Sequence, residues 1–328
     1  MKNISYFLLA FVSIFMFVAC ERDEAMVELP DNKLDLLDKM VKVDLPVTNN
    51  FTNPFQKSGT TNNFVDRVKE INQSLEAYGL QIEKMEYYSS NEAGNIVFFS
   101  DRGNKRLTSD YVPNDPRSLL PGTAVPYIVD GTQLNTASGF NTLNAINSVM
   151  NTWDQVTCSD GLTIPNAGVA PFDLGYVSNL LGFGGTEGFY PGVIVHAGVL
   201  PFEFFEAVRS GGGSSILGVT FTFSWIEDIN NDGKGDVALK EIYYNDYFNW
   251  QDAVAAGFGY DFETVSLHEV GHALSQAHFG KLSGTFANGK LHYSPRALMN
   301  AGYTGVNRVV EKTDKAGHCS NWANWPNN

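Results

Sequence analysis

The segment His268-Glu269-Val270-Gly271-His272 restricts the fold of this chain more than any other part of the sequence. On a helix, His268 and His272 are four residues apart and project from the same face. Two imidazoles in that geometry can bind one tetrahedral zinc ion, and Glu269 stands beside them to take up a proton. The alternative is a group of histidines that packs along a polar-lined helix without a metal.

His278 follows six residues after His272 and supplies a third imidazole if the chain turns back after the helix. Three protein ligands leave the fourth coordination position of zinc for water, which is typical of a catalytic site. The sequence therefore predicts a zinc site at His268, His272 and His278.

Composition limits the other functions that this chain can have. Of its 328 residues, 43% are hydrophobic and 18% are charged, which is typical of a globular protein rather than a disordered one. The net charge of -14 argues against nucleic acid as a partner, because phosphate binding needs a basic surface.

The N-terminus predicts export. Lys2 precedes an uncharged apolar stretch over residues 4–19, which is too short for a typical membrane-spanning helix and fits a secretory signal. Phe17-Val18-Ala19-Cys20 resembles the lipobox of bacterial lipoproteins, which implies cleavage before Cys20 and acylation of its thiol. The acidic residues 21–24 resemble a surface-export signal, so we expect a lipid anchor at the outer membrane or cell surface. The alternative to a cleaved signal peptide is a retained N-terminal anchor helix. The alternative to a surface-export signal at residues 21–24 is a solvated tether.

Lipidation of Cys20 leaves two cysteines, Cys158 and Cys319. Two remaining cysteines in an exported protein are expected to form a disulfide. Two separate free thiols are the alternative.

Patterns along the chain predict four segments: a signal peptide over 1–19, a polar tether over 20–60, a small N-terminal module over 61–115 and a larger domain over 116–328. The module contains a helix, in which Phe64, Val68, Ile71 and Leu75 recur at helical spacing, and a hairpin with strands over 80–88 and 96–99. The larger domain reads as strand, helix, several strands and a final helix over 262–278, which predicts an α/β (α+β) fold.

The zinc-binding segment resembles the signature of metzincin metallopeptidases, and residues 297–303 resemble the Met-containing turn of the matrixin branch. The resemblance implies that Met299 forms an apolar floor under the imidazoles and that Tyr303 walls a substrate pocket. It also implies a twisted, mostly parallel sheet with an active-site helix. Residues 216–223 resemble the edge strand of that sheet, along which a peptide substrate would pair.

Two features depart from the matrixin pattern. Ser275 stands where the family has a glycine in a left-handed turn, which costs about 1 kcal/mol for a residue with a side chain. Residues 21–120 contain no cysteine that could cap the zinc, so the N-terminal module is either a propeptide that inhibits by another route or a spacer.

The activity that the resemblance implies is hydrolysis of peptide bonds in extracytoplasmic proteins by a zinc-activated water, with Glu269 as general base. Its partners would be protein or peptide substrates and the membrane that holds the anchor. One alternative is a catalytically silent, zinc-containing surface-binding lipoprotein. Another is a zinc hydrolase that acts on non-peptide substrates.

A second metal site is predicted between two strands. Oxygen donors alternate as in the first half of an EF-hand calcium loop, although Leu239 replaces the usual final glutamate. The candidate calcium ligands are Asp228, Asn230, Asp232 and Asp236. The alternative is an ordinary polar hairpin turn, in which Asn, Asp and Gly are expected.

Overall fold

The computed structural model describes residues 39–42, 64–90, 92–100, 109–158, 161–252, 259–285, 287–288 and 290–327. All of these residues belong to one compact unit, Lys33–Asn328. The predicted signal peptide, the lipidation site at Cys20 and most of the predicted tether lie outside the described residues.

Strands and helices alternate through most of this unit. The strands are β1 (Val41–Lys42), β2 (Leu80–Ser89), β3 (Ile96–Phe98), β4 (Tyr127–Asp130), β5 (Asn166–Ala170), β6 (Gly188–Phe189), β7 (Ile194–Leu200), β8 (Ile216–Trp225), β9 (Val237–Asn245), β10 (Trp250–Gln251), β11 (Tyr260–Asp261), β12 (Lys281–Thr285) and β13 (Lys290–Ser294). The helices are α1 (Phe64–Leu75), α2 (Leu143–Asp154), α3 (Tyr176–Leu181), α4 (Phe202–Val208), α5 (Phe262–Ala273) and α6 (Lys312–Trp322).

The centre of the fold is a seven-stranded sheet with the order β3-β2-β8-β9-β7-β4-β5. The pairs from β9 through β7 and β4 to β5 are parallel, and the pairs from β9 through β8 and β2 to β3 are antiparallel. The α/β class is confirmed, but the sheet is mixed, so the prediction of a mostly parallel sheet is wrong. Antiparallel neighbours such as β8 and β9 need only a turn between them, whereas parallel neighbours need a crossover connection.

The hairpin of the predicted N-terminal module joins this sheet. Strand β2 pairs along β8 from Leu80 opposite Trp225 to Ser89 opposite Ile216. The other side of β8 pairs with β9, so the prediction that residues 216–223 form an edge strand is wrong. The predicted boundary at residue 115 falls between strands of one sheet, and residues 41–42 of the predicted tether pair with β6.

The two faces of the sheet carry different cores. The face covered by α1, α3 and α4 is apolar, and β8 contributes Val219, Phe221 and Phe223 to it. The opposite face is covered by α2, α5 and α6, and there β8 presents the buried hydroxyl groups of Thr220 and Thr222. Because successive side chains of a strand point to opposite faces, this alternation marks the α5 side as the polar side of the sheet.

Cys158 and Cys319 form the predicted disulfide, with their Cα atoms 5.6 Å apart. The bond ties the segment after α2 to α6. Disulfides are typical of proteins outside the cytoplasm, so the bond supports an extracytoplasmic location. Among the described residues, the helices are all too short or too polar to cross a bilayer.

Candidate metal centre

Helix α5 carries the predicted zinc motif and begins at a well-capped N-terminus. The carboxylate of Asp261 accepts hydrogen bonds from the backbone N–H of Thr264 at 3.0 Å and from its hydroxyl group at 2.5 Å. Such a cap satisfies donors that the first turn of a helix leaves without partners. The guanidinium group of Arg308 holds the same carboxylate in place. Residues 262 and 264–273 are buried, which places the motif inside the protein.

The end of α5 turns the chain back toward the helix. Ser275 has a φ of 66°, the left-handed conformation that glycine adopts most readily. The N–H of Ser275 bonds to the carbonyl of His272 and the N–H of Gln276 to that of Gly271, each at 2.9 Å. This pair of bonds defines a Schellman motif. The predicted helix to residue 278 therefore ends at Ala273, and the reversal brings His278 to the two helical histidines.

The structure brings the three predicted ligands together. One nitrogen atom from each of His268, His272 and His278 lies within 4.8 Å of the others. The Nε2 atoms of His272 and His278 are 3.1 Å apart. The three rings therefore form a group that could hold a metal ion.

Backbone carbonyl groups fix the tautomers of the two helical histidines. The Nδ1 of His268 bonds to the carbonyl of Leu298 at 2.8 Å, and that of His272 to the carbonyl of Gln276 at 2.7 Å. A carbonyl oxygen can only accept, so each Nδ1 carries the proton and each Nε2 keeps its lone pair. The Nε2 of His268 is buried without a hydrogen-bond partner.

Burial also keeps the three rings neutral. It lowers the pKa of His268 to about 4 and holds the pKa values of His272 and His278 well below the usual 6.5. Three neutral imidazoles with converging lone pairs fit a borderline-soft divalent cation such as zinc. The residues present therefore fit the metal that the sequence predicts.

Glu269 lies beneath β8. Its Oε2 accepts a hydrogen bond from the hydroxyl of Thr220 at 2.6 Å, while its Oε1 is buried and has no hydrogen-bond partner. A side chain at Gly218 would place its Cβ 2.9 Å from that Oε1, so glycine leaves room for the carboxylate. Burial raises the pKa of Glu269 well above its usual value, and the hydrogen bond from Thr220 opposes this effect.

The predicted Met-turn lies directly below α5. Met299 is buried, and a Cβ on Gly271 would overlap with its sulfur, so the two residues are in close contact. The Asp314 carboxylate of α6 accepts the backbone N–H groups of Leu298 and Met299, each at 3.0 Å. Since the carbonyl of Leu298 holds His268, Asp314 positions the imidazole of His268 through the turn.

Tyr303 lies at the side of the centre. Its hydroxyl accepts the backbone N–H of Asp261 at 3.1 Å, and its own backbone N–H bonds to the carbonyl of Ser89 at 2.8 Å. Its ring packs edge-on against Tyr88 at a centroid distance of 6.2 Å. The predicted role in a substrate pocket stays a prediction.

Strand β2 brings three side chains to the centre that the sequence analysis missed. The ring of Tyr88 stacks on His268 with centroids 3.9 Å apart. A carboxylate oxygen of Glu86 lies 3.5 Å from the Nδ1 of His272, and its other oxygen pairs with the Nζ of Lys84 at 2.9 Å. Both charged side chains are almost fully buried. The signal for them is a polar residue at every second position from Lys84 to Tyr88, on one face of a predicted strand.

Lys240 of β9 is a fourth missed residue. Its Nζ donates to the hydroxyl of Thr222 at 2.8 Å and to the carbonyl of His272 at 3.2 Å. Burial, with the nearby charge of Lys84, lowers its pKa to about 7. The lysine thus ties the last turn of α5 to the sheet.

The second predicted metal site has a different character. Its four oxygen donors lie in the turn between β8 and β9: Asp228, Asn230, Asp232 and Asp236. Arg117 pairs with Asp236 at 2.5 Å, and Lys234 pairs with Asp232 at 3.3 Å and also with Asp110. Two of the predicted donors are therefore already neutralised by cationic side chains, and calcium binding stays a prediction.

The chain matches no protein-family model and no curated protein. What this chain can do chemically is therefore inferred from the geometry of the histidine group.

Proposed function

We propose that this chain is a zinc-dependent endopeptidase of the metzincin, matrixin-like type that acts on proteins outside the cytoplasm. The observation that carries the proposal is the convergence of three neutral imidazoles next to a carboxylate with one free oxygen. A purely structural zinc site usually has four protein ligands, whereas three ligands leave a position for reactants. His268, His272 and His278 would hold the metal.

The chemistry divides between the metal and the chain. Zinc, when bound, supplies a Lewis acid that activates water and polarises a carbonyl group. The free Oε1 of Glu269 takes the proton of the attacking water and passes it to the leaving amine, since Oε2 is held by Thr220. Met299 and Asp314 support the ligands from below, and Tyr303 helps to wall the substrate pocket.

The location forms part of the same proposal. The disulfide supports an environment outside the cytoplasm. The lipid anchor at Cys20 and its placement at an outer membrane or cell surface come from the sequence pattern alone.

The test is cleavage of an unfolded protein mixture by zinc-loaded residues 21–328, read by mass spectrometry. This chain contains the whole compact unit Lys33–Asn328. Glu269→Gln is the matched control, because it keeps the shape of the side chain and removes the base. We expect fragments that the variant produces at least about 100-fold more slowly, the range of general-base catalysis. Fragments that form equally fast with Glu269→Gln would contradict the proposal.

A further inference from the structure

The histidine group is closest to solvent on the side where His278 lies. His268, His272 and Glu269 have no exposed surface, whereas His278 is half-buried. Strand β8 pairs with β9 on one side and with β2 on the other. An extended peptide can add to a sheet only where a strand edge has free N–H and C=O groups. A peptide substrate therefore needs an edge other than β8, near His278.

The hairpin of β12 and β13 provides such an edge. Strand β12 follows three residues after His278 and pairs with β13, from Lys281 opposite Ser294 to Thr285 opposite Lys290. The two strands form a sheet of their own, and no other strand in the described part of the chain pairs with either of them. The outer edge of β12 therefore has backbone groups that can pair with a further strand.

The base of this hairpin is fixed against the Met-turn. The backbone N–H of Phe279 donates to the carbonyl of Met299 at 2.7 Å. The buried side-chain amide of Asn300 donates to the carbonyl groups of Phe279 at 2.8 Å and of Pro295 at 3.2 Å. One side chain thus holds both ends of the hairpin, and the edge of β12 has a fixed position next to the turn below the histidine group.

The hairpin is not part of either core. All five residues of β12 are exposed, and neither apolar cluster includes any of them. Phe279 and Leu282 keep 46% and 40% of their surface in solvent. A two-stranded hairpin is at best marginally stable by itself, so this one adds little to the stability of the fold. Its exposure and its place beside His278 suit contact with another molecule.

The segment that contains the hairpin is positively charged in an acidic protein. The whole chain has a net charge of -14, yet residues 270–310 contain no aspartate or glutamate. Lys281 and Arg296, at the two ends of the hairpin, are exposed and have no ion-pair partner among the described residues. Arg296 also interacts electrostatically with the hydroxyl group of Tyr88, whose ring stacks on His268. Because complementary charges guide recognition, this surface suits carboxylate side chains.

We propose that the outer edge of β12 is the substrate-pairing edge of the proposed endopeptidase and that it selects extended peptides with acidic side chains. The inference rests on the proposed function and adds its substrate class. The peptide backbone pairs with β12, and Lys281 and Arg296 bind the carboxylates of the peptide. The hairpin thus takes the role that β8, with both sides paired, does not have.

The first measurement is peptide binding, which does not depend on turnover. The protein is zinc-loaded Glu269→Gln over residues 21–328, and the probes are fluorescein-labelled ten-residue peptides that alternate glutamate with threonine or glutamine with threonine. Fluorescence anisotropy should show about fivefold tighter binding of the glutamate peptide, because each exposed ion pair contributes only a few-fold. Adding Lys281→Gln/Arg296→Gln should abolish this preference.

The matched control is Lys42→Gln/Lys69→Gln in the same Glu269→Gln protein, because it removes two exposed charges outside the hairpin. It should keep the preference, and all of the variants should bind zinc equally. Equal binding of the two peptides, no binding of either, or an equal loss in the control and the hairpin variant would overturn the inference.

Pairing with the strand edge is tested by two N-methylated forms of the glutamate peptide. One is methylated at the odd positions and the other at the even positions, because alternate residues of an antiparallel strand direct their N–H groups to the same neighbour. One form should bind at least about 10-fold more weakly, since it loses several hydrogen bonds, and the other should bind within about twofold of the parent peptide. Equal effects of the two forms would contradict pairing with β12.

Cleavage sites in the unfolded protein mixture separate this inference from the proposed function. Sites cut by the zinc-loaded wild type should be at least about threefold enriched in Asp and Glu within five residues of the cut, and Lys281→Gln/Arg296→Gln should lose this enrichment. Cleavage without the enrichment overturns the inference, while the endopeptidase proposal survives. If the hairpin binds the glutamate peptide but the wild type cleaves no faster than Glu269→Gln, the endopeptidase proposal is wrong and the hairpin is a peptide-binding surface only.

Discussion

The two predicted metal sites of this chain look alike in sequence and differ in structure. Both consist of ligand-type residues at regular spacing, one on α5 and one between β8 and β9. At the histidine group, backbone carbonyl oxygens accept hydrogen bonds from the Nδ1 atoms of His268 and His272, and one nitrogen from each of the three rings lies within 4.8 Å of the others. In the loop, Arg117 and Lys234 reach the carboxylates. The sequence pattern thus identifies candidate ligands. Side chains from distant segments decide whether the lone pairs of those candidates stay free to bind a metal.

The largest expected effect in this comparison is the loss of zinc. His272→Ala should lower zinc affinity more than 100-fold, since even residues behind the ligands contribute about 10–100-fold. Competition against a chelator, read as bound zinc, measures this. His292→Ala is the control, because His292 is exposed in the β12–β13 hairpin. Unchanged zinc binding in His272→Ala would show that the metal site lies elsewhere.

A second test compares the two sites by changing one buried aspartate at each of them. Asp314→Asn loses an acceptor for the Met-turn, and Asp236→Asn weakens the pairing with Arg117. Each should lower the free energy of unfolding by about 1–3 kcal/mol, as measured by urea titration. Zinc affinity should fall about 10-fold in Asp314→Asn and stay unchanged in Asp236→Asn. An equal effect of both variants on zinc would contradict the role of Asp314.

The contact between Gly271 and Met299 gives a third test. Alanine normally favours a helix over glycine by about 1 kcal/mol, but here its Cβ would clash with the Met299 sulfur. Gly271→Ala should therefore destabilise by about 1–3 kcal/mol. In a Met299→Ala background, Gly271→Ala should destabilise the protein less. Thermal unfolding of the wild type, the two single variants and the double variant measures the coupling between the two positions. Additive changes in stability would show that the clash with Met299 does not cause the destabilisation by Gly271→Ala.

The left-handed turn at Ser275 predicts a smaller effect, which is a gain in the free energy of unfolding. Ser275→Gly relieves the left-handed backbone and removes a buried hydroxyl without a hydrogen-bond partner, so the protein should gain about 1 kcal/mol. Ser275→Ala is the matched control, because it removes the hydroxyl but keeps the Cβ. If alanine stabilised as much as glycine, the backbone strain would contribute nothing.

The smallest expected effect concerns calcium. Lys234→Ala removes a cation that pairs with Asp110 and Asp232 in the loop. The variant should therefore show a larger rise in melting temperature on addition of calcium than the wild type shows, because the carboxylates are left without that counter-charge. Magnesium at the same ionic strength is the control. An equal calcium response in both proteins would mean that Lys234 does not compete for the loop.

Local patterns were enough to predict a substantial part of this molecule. Helix α1, strands β2, β8 and β9, and the pairing of Cys158 with Cys319 all follow from hydrophobic spacing or residue type. The convergence of the three histidines follows from the helix repeat and one turn. The helix and the strands depend on neighbours within a few residues, so the sequence shows them directly, whereas the disulfide, which joins residues 161 apart, was predicted by elimination among three cysteines.

The remainder depends on contacts between distant segments. Nothing in the hydrophobic pattern of β2 shows that it pairs with β8, more than 100 residues later, so the expected edge strand was wrong. The roles of Arg117 and Asp314 were also missed, since Arg117 acts on a loop 119 residues later and Asp314 on a turn 15 residues earlier. Helix α6 was missed because its apolar residues are few and form no clear stripe.

The disulfide between Cys158 and Cys319 links assembly of the metal centre to the compartment. It closes a loop of 161 residues, which on the chain-entropy model contributes about 5 kcal/mol, comparable to the whole stability of many domains. In a reducing cytoplasm the bond does not persist, and α6, whose Asp314 holds the turn below His268, loses its covalent tether. Formation of the disulfide therefore stabilises the segment that holds the turn below the histidine group.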